Sequence, residues 1–173
     1  MFLILLFSLT SNPIVLFDFN VKSNSDDWRV VDDSVMGGIS SSKFFVDASG
    51  NGVFNGTVSL ENNGGFCSVQ HYPKPVSLKE KKVFSIRLKG DGKKYQFRVK
   101  SKQSDYYSYI YVFQTTTDWQ IIEIPITELF ASFRGRTIDI PNYNGNSLEQ
   151  IAFLAGDKKN ENFQLMIDKI EVK

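Results

Sequence analysis

Cys67 and His71 lie four residues apart and are the chain's single cysteine and single histidine. A nucleophilic thiol needs a basic neighbour to lower its pKa. On an extended strand these two would share a face, yet sit roughly 13 Å apart along the chain. Cys67 therefore reads as a small buried hydrophobe and His71 as a structural ring. A zinc site would have to take its remaining ligands from carboxylates, and no acidic spacing matches one. Asp32 and Asp33 could serve as acid and base, but adjacent residues on a strand point to opposite faces, so they pair poorly unless a turn intervenes. Asp18 and Asp168 could supply oxygens to a structural calcium joining the first and last strands, although such a shell needs about six to eight of them. Gly90-Asp91-Gly92 lacks the third glycine of a dinucleotide fingerprint and reads as a hairpin turn. The expectation is a chain with no catalytic residue, no cofactor and no metal.

Two turn clusters are more informative. Asp32-Asp33-Ser34-Val35-Met36-Gly37-Gly38-Ile39-Ser40 combines adjacent carboxylates, a glycine pair and hydroxyls. Glu61-Asn62-Asn63-Gly64-Gly65-Phe66 repeats the theme. Glycine pairs permit positive φ and close backbone approach, while Asn and Asp bond back to their own backbone. Asp32, Asp33, Met36, Gly37, Gly38, Asn62, Asn63, Gly64 and Gly65 are thus candidates either for a ligand pocket or for two interlocked turns that organise the fold.

A third candidate lies in Tyr106 to Phe113. With Ile110 and Val112 read as core, Tyr107, Tyr109, Tyr111 and Phe113 fall on the opposite face. Gln96, Arg98 and Lys100 would be the wet positions of the neighbouring strand. An aromatic stripe flanked by amide and cationic groups suits a sugar or a protein surface. The other reading is that a further part of the chain covers it.

The elements that must position these residues are strands. Alternation with period two recurs between turn signals. Strands are expected over Ile14–Phe19 (with Val15, Phe17 and Phe19 inward), Trp28–Val31, Lys43–Val46, Val53–Leu60, Phe66–His71 and Val83–Leu88. Further strands are expected over Tyr95–Lys100, Tyr106–Phe113, Trp119–Ile124, Ile151–Ala155 and Phe163–Val172. In the last, Phe163, Leu165 and Ile167 share one parity while Ile170 and Val172 share the other, so a β-bulge near Asp168 is required. Helical signal is confined to one turn within Pro125–Phe130, with Thr127 as its cap. Fifteen Phe and seven Tyr in 173 residues reinforce the β reading. Short strands without crossover helices make an all-β sandwich or jelly roll.

Residues 14–173 read as one domain, preceded by a leader over 1–13. The apolar run Phe2–Phe7 is too short to span a bilayer and lacks the basic flank of an export signal, so it reads as a truncated signal or a lead-in strand. The compartment stays open between cytoplasm and bacterial cell envelope. A net charge of +1 supplies no global field for nucleic acid or an anionic membrane. One cysteine allows no intrachain disulfide.

Trp28 to Ser40, Phe54-Asn55-Gly56, Ser59 to Phe66, Leu88 to Gly92, Tyr95, Trp119 and Phe133-Arg134-Gly135-Arg136, in this order, resemble the complex I intermediate-associated protein family. The resemblance runs from about Val15 to the C-terminal part and adds Arg134 to the candidate binding residues. It implies a galactose-binding-domain-like jelly roll and an assembly-factor role without catalysis. The implied partners are proteins, respiratory-complex subunits or assembly intermediates among them. The chain lacks the long presequence of mitochondrial members and is similar to a short bacterial relative. A carbohydrate-binding module of the same jelly-roll fold is the alternative function.

Overall fold

The computed structural model describes residues 12–173, so the Phe2–Phe7 run lies outside the described residues. Two antiparallel sheets face each other across an aromatic core. One contains β3 (Ser41–Val46), β4 (Gly52–Val58), β13 (Glu161–Val172), β6 (Val83–Lys89) and β9 (Gln120–Pro125) in that order, with β1 (Ile14–Asp18) paired to β13. The other is seven-stranded. Its order is β11 (Arg136–Thr137), β10 (Phe130–Phe133), β8 (Ser108–Gln114), β7 (Lys94–Lys100), β12 (Gln150–Ala155), β5 (Cys67–His71) and β2 (Trp28–Asp32).

Alternation builds the core directly. In β7, Tyr95, Phe97 and Val99 are buried between the sheets, and Gln96, Arg98 and Lys100 take the other face. Each such buried side chain contributes about 1.5–3 kcal/mol of transfer free energy. Trp28 joins the layers, packing against Phe17, Phe19, Phe44, His71 and Phe153.

The bulge expected in the last strand is present. Ile167 pairs with Leu88 and Lys169 with Arg87, so Asp168 is skipped and both parities of β13 reach the core. A second irregularity, between Val15 and Phe17 of β1, overturns the single inward parity expected there. Val15 is 49% exposed, whereas Ile14, Leu16 and Phe17 pack on the core. Two short elements also differ from expectation. Ile126–Glu128 forms a 3-10 turn with Thr127 inside it rather than capping it. Arg134-Gly135 makes the two-residue loop of the β10–β11 hairpin, both with positive φ (49° and 74°), as a type I′ turn requires.

Candidate functional site

The two glycine-rich clusters meet at one buried carboxylate. Asp33 follows β2 and opens a 3-10 turn over Asp33–Met36. Its Oδ1 accepts the Ser40 amide at 3.0 Å, and its Oδ2 accepts the amides of Gly65 at 2.6 Å and Phe66 at 3.3 Å. The Ser40 hydroxyl also donates to Oδ2 and accepts the Ser59 amide at 2.9 Å, so it relays the link to a second loop. Burial works against the ionised form, yet the hydrogen bonds from Ser40, Gly65 and Phe66 outweigh it and hold the Asp33 carboxyl below its ordinary pKa.

The glycines are explained by the same contact. A Cβ on Gly38 would lie 2.3 Å from Asp33 Oδ1, and one on Gly64 would lie 2.5 Å from Oδ2. Gly37 has open space around it but a φ of +91°, and Asn62 and Asn63 carry φ of 56° and 59°. Gly65, with φ +134°, presents its amide to the carboxylate. Asp32 turns away and receives Ser42, amide at 2.8 Å and hydroxyl at 2.6 Å. The two aspartates therefore serve different loops and make no acid–base pair. Met36 stands 56% exposed on the same loop, beside exposed Val35 and Ile39.

The tyrosine stripe faces inward rather than outward, although Ile110 is buried as expected. Phe113 is buried, Tyr109 and Tyr111 pack on the core, and Val112 is 47% exposed. Aromatic residues won the inward face of β8 because Tyr143 and Phe153 offer ring partners there, Tyr143 to Tyr109 in a tilted contact and Phe153 to Phe113 edge to face. Tyr107 precedes the strand and meets Tyr106 and Tyr109 edge to face. Tyr143, whose amide bonds Leu129 and whose hydroxyl bonds the Ser147 carbonyl, closes over Tyr109 at 5.1 Å. Burial, with the Tyr107 hydroxyl beside it, pushes Tyr109 up to about 12. Arg134 sits at the hairpin tip with its guanidinium 5.3 Å from the Phe133 ring, which in turn meets Tyr106 edge to face at 5.2 Å.

The outer face of the seven-stranded sheet is what remains open. Registers place Arg29, Gln70, Ala152, Arg98, Ile110 and Phe130 in one row across six strands. A second row runs Val31, Ser68, Leu154, Gln96 and Val112. Gln150, Ala152 and Leu154 face outward yet are buried, so the middle of this face is recessed. A depression of about 480 Å³ opens here, lined by Arg29, Gln70, Tyr72, Lys100, Gln103, Ser108 and Gln150. Beside it the Arg98 Nε is buried without a hydrogen-bond partner. Arg98 was legible as a wet position. Arg29, Gln70 and Gln150 were missed, although each alternates with a core residue.

The other reactive groups are occupied. Burial, helped by the nearby Asp32 charge, pushes the Cys67 thiol up to about 12. His71 Nδ1 lies 2.8 Å from the Asp27 carbonyl and so donates to it, while burial lowers its pKa. Asp168 pairs with Arg87 at 3.0 Å, a cation where calcium would want oxygens. Among the described residues no cluster of three or more His, Cys, Asp or Glu could hold a metal ion. No helix among them is long and apolar enough to cross a membrane.

Comparison with known proteins agrees with this architecture. The sequence profile of complex I intermediate-associated protein 30 (CIA30) matches residues 17–167. The mitochondrial protein of that name from Drosophila melanogaster is 25% identical over 72% of this chain and 50% of its own length. The Mus musculus protein is 25% identical over 91% of this chain and 55% of its own. The chain thus spans about half the length of these two relatives. An uncharacterized Schizosaccharomyces pombe protein is 27% identical over 82% of this chain and 74% of its own. Among solved structures, the family 11 carbohydrate-binding module of the Clostridium thermocellum cellulase Lic26A-Cel5E superposes with a TM-score of 0.71. It covers 93% of this chain and 94% of its own at 15% identity, a likeness of fold alone. The same family's module bound to a mixed-linked tetrasaccharide superposes at 0.69 with 16% identity, over 92% of this chain and 94% of its own. The expected galactose-binding-like sandwich is therefore the fold.

Proposed function

This chain belongs to the complex I intermediate-associated protein 30 family, and from that premise we propose that it is a non-catalytic binding domain that holds a protein partner during assembly of a respiratory complex. The observation that carries the reading is the recessed outer face of the seven-stranded sheet. It is rich in amides and cations, and its Arg98 Nε has no partner within the chain. Buried polar groups are normally paired, so an unpaired one just beneath the floor of an open depression favours a ligand that engages its guanidinium. The thiol, the imidazole and the two adjacent aspartates are all engaged structurally, which speaks against catalysis.

The test is capture from native cells with tagged chain, read by mass spectrometry beside an Arg29→Glu, Lys100→Glu variant. Both changes sit on the rim of the depression and reverse its charge. Reproducible recovery of respiratory subunits by the unmodified chain, lost with the variant, is the expected result. No respiratory subunit in repeated captures would overturn the proposal. Carbohydrate binding stands as a second reading because the depression carries Tyr72, 38% exposed, among amide side chains. A glycan array that retained the chain where cell extracts gave no protein partner would favour it.

A further inference from the structure

The charged side chains that line the depression, Arg29 and Lys100, are both cationic. Arg29 projects from β2, and Arg98 and Lys100 from β7, onto the same outer face. The facing positions on β5 and β12 are Gln70, Ala152 and Gln150, which carry no charge. Two carboxylates lie nearby, Asp105, which accepts the Lys102 amide at 3.0 Å and whose charge also acts on Lys100, and Glu149, which accepts the Gln103 amide at 3.1 Å, but neither closes onto a guanidinium or ammonium group as an ion pair. Lys100 reaches the Asp105 backbone carbonyl at 2.6 Å rather than a carboxylate. The salt bridges among the described residues are Arg87–Asp168, Lys93–Asp91, Lys169–Glu171 and Lys173–Glu171, and none involves Arg29, Arg98 or Lys100.

Arg98 is the informative member of the three. Its pKa is lowered by burial alone, with no anion to offset that burial. A methionine or leucine would fill the same place beside Ala152 and Ile110 without desolvating a cation. A guanidinium in that position is costly to the free domain and becomes favourable once a carboxylate arrives, because its planar donors match that group in a bidentate fork.

Resting on the binding reading above, we propose that the depression recognises an acidic polypeptide segment, with one carboxylate seated on Arg98 and further negative charge met by Arg29 and Lys100. Peptide is favoured over sugar because the aromatic platform that a sugar would need is turned inward: Tyr109, Tyr111 and Phe113 line the core, and Tyr72 alone stands on the rim. Gln70 and Gln150 supply amides for a peptide backbone, while Val112, 47% exposed, extends the face with apolar surface.

The experiment uses the full chain with fluorescein-labelled hexaglutamate, hexaglutamine as the uncharged control, and trigalacturonate and inorganic phosphate as competing anions. Binding is read by fluorescence anisotropy and by the side-chain Nε–H resonance of Arg98. Hexaglutamate should bind and shift that resonance, and hexaglutamine should do neither. Arg98→Met should weaken hexaglutamate binding by roughly thirtyfold or more, the usual effect of removing one partner of a buried charge pair. The same variant should keep or raise the melting temperature, because it removes an unpaired buried charge. A fall in melting temperature would make Arg98 a structural residue and overturn the proposal. So would a resonance shift with galacturonate or phosphate but not with hexaglutamate. Recovery of respiratory subunits by Arg98→Met, undiminished, would overturn this anion site while leaving the assembly role intact.

Discussion

Replacing Asp33 by asparagine tests whether the two glycine-rich motifs are architecture. The side chain is inaccessible to solvent, and its oxygens take unequal shares of the donors. Oδ2 receives the Ser40 hydroxyl and the Gly65 and Phe66 amides, and Oδ1 receives the Ser40 amide. An asparagine can place its single oxygen at Oδ2 and keep three donors, but its NH₂ then confronts the Ser40 N–H. The reverse orientation is worse. One charge-assisted hydrogen bond is lost, at about 1.5–3 kcal/mol, and a buried donor is orphaned at about 1–3 kcal/mol more. The sum is about 2.5–6 kcal/mol from a domain stability of about 5–15 kcal/mol. For a chain of this size the melting temperature should fall by roughly 5–24 °C. Urea denaturation and thermal scans at neutral pH measure both. Asp32→Asn is the control, because Ser42 can reverse its hydroxyl and accept the new NH₂ group, holding the loss to about 1 kcal/mol. The pH dependence carries a sign as well. The folded pKa of Asp33 lies below its unfolded value, so its contribution is complete above about pH 4 and disappears as pH falls through the folded pKa. Asp33→Asn should remove that part of the acid limb. A variant within about 1 kcal/mol of the parent, with an unchanged acid limb, would refute the reasoning and return the motif residues to the list of ligand contacts.

Gly38→Ala should cost about 1–3 kcal/mol or more from overpacking against the carboxylate, whereas Gly37→Ala should cost about 1–2 kcal/mol from its positive φ alone. Urea midpoints rank the two, and an equal or reversed order would contradict the packing account. Cys67, buried and with its thiol pushed up to about 12, should resist iodoacetamide in the native state and react only across the unfolding transition. Stoichiometric labelling of folded protein at the rate of an unfolded control would show that β5 opens locally.

Period-two patterning made most of the strands legible, and the conflict of parities in Phe163 to Val172 even located the bulge at Asp168. The same logic failed in β8, where Tyr109, Ile110, Tyr111, Val112 and Phe113 offer an apolar or aromatic side chain at every position. Alternation cannot choose a face when both sets are hydrophobic. The choice was made by distant partners, Tyr143 from a loop and Phe153 from β12, which no local window contains. The β1 irregularity at Leu16 escaped for a related reason, since Ile14 to Phe17 is apolar throughout and either phase looks acceptable. The recessed face was half legible. Arg98 alternates with Phe97 and Val99, but its isolation depends on uncharged residues from β5 and β12 that become neighbours only after folding.

That division separates what the family likeness carries from what it leaves open. Two of the segments that carry the family resemblance, Trp28 to Ser40 and Ser59 to Phe66, surround Asp33, and their geometry is spent on joining three loops of one end of the sandwich. Glycines at 38 and 64 are required by the carboxylate they touch, whatever the domain binds. A match built on these residues therefore reports the fold with high specificity and the partner hardly at all. On the binding reading proposed above, partner choice falls instead to the outer face of the seven-stranded sheet, whose exposed side chains can be exchanged without disturbing the core. The cations of that face, Arg29, Arg98 and Lys100, are accordingly the residues by which to compare this chain with its relatives.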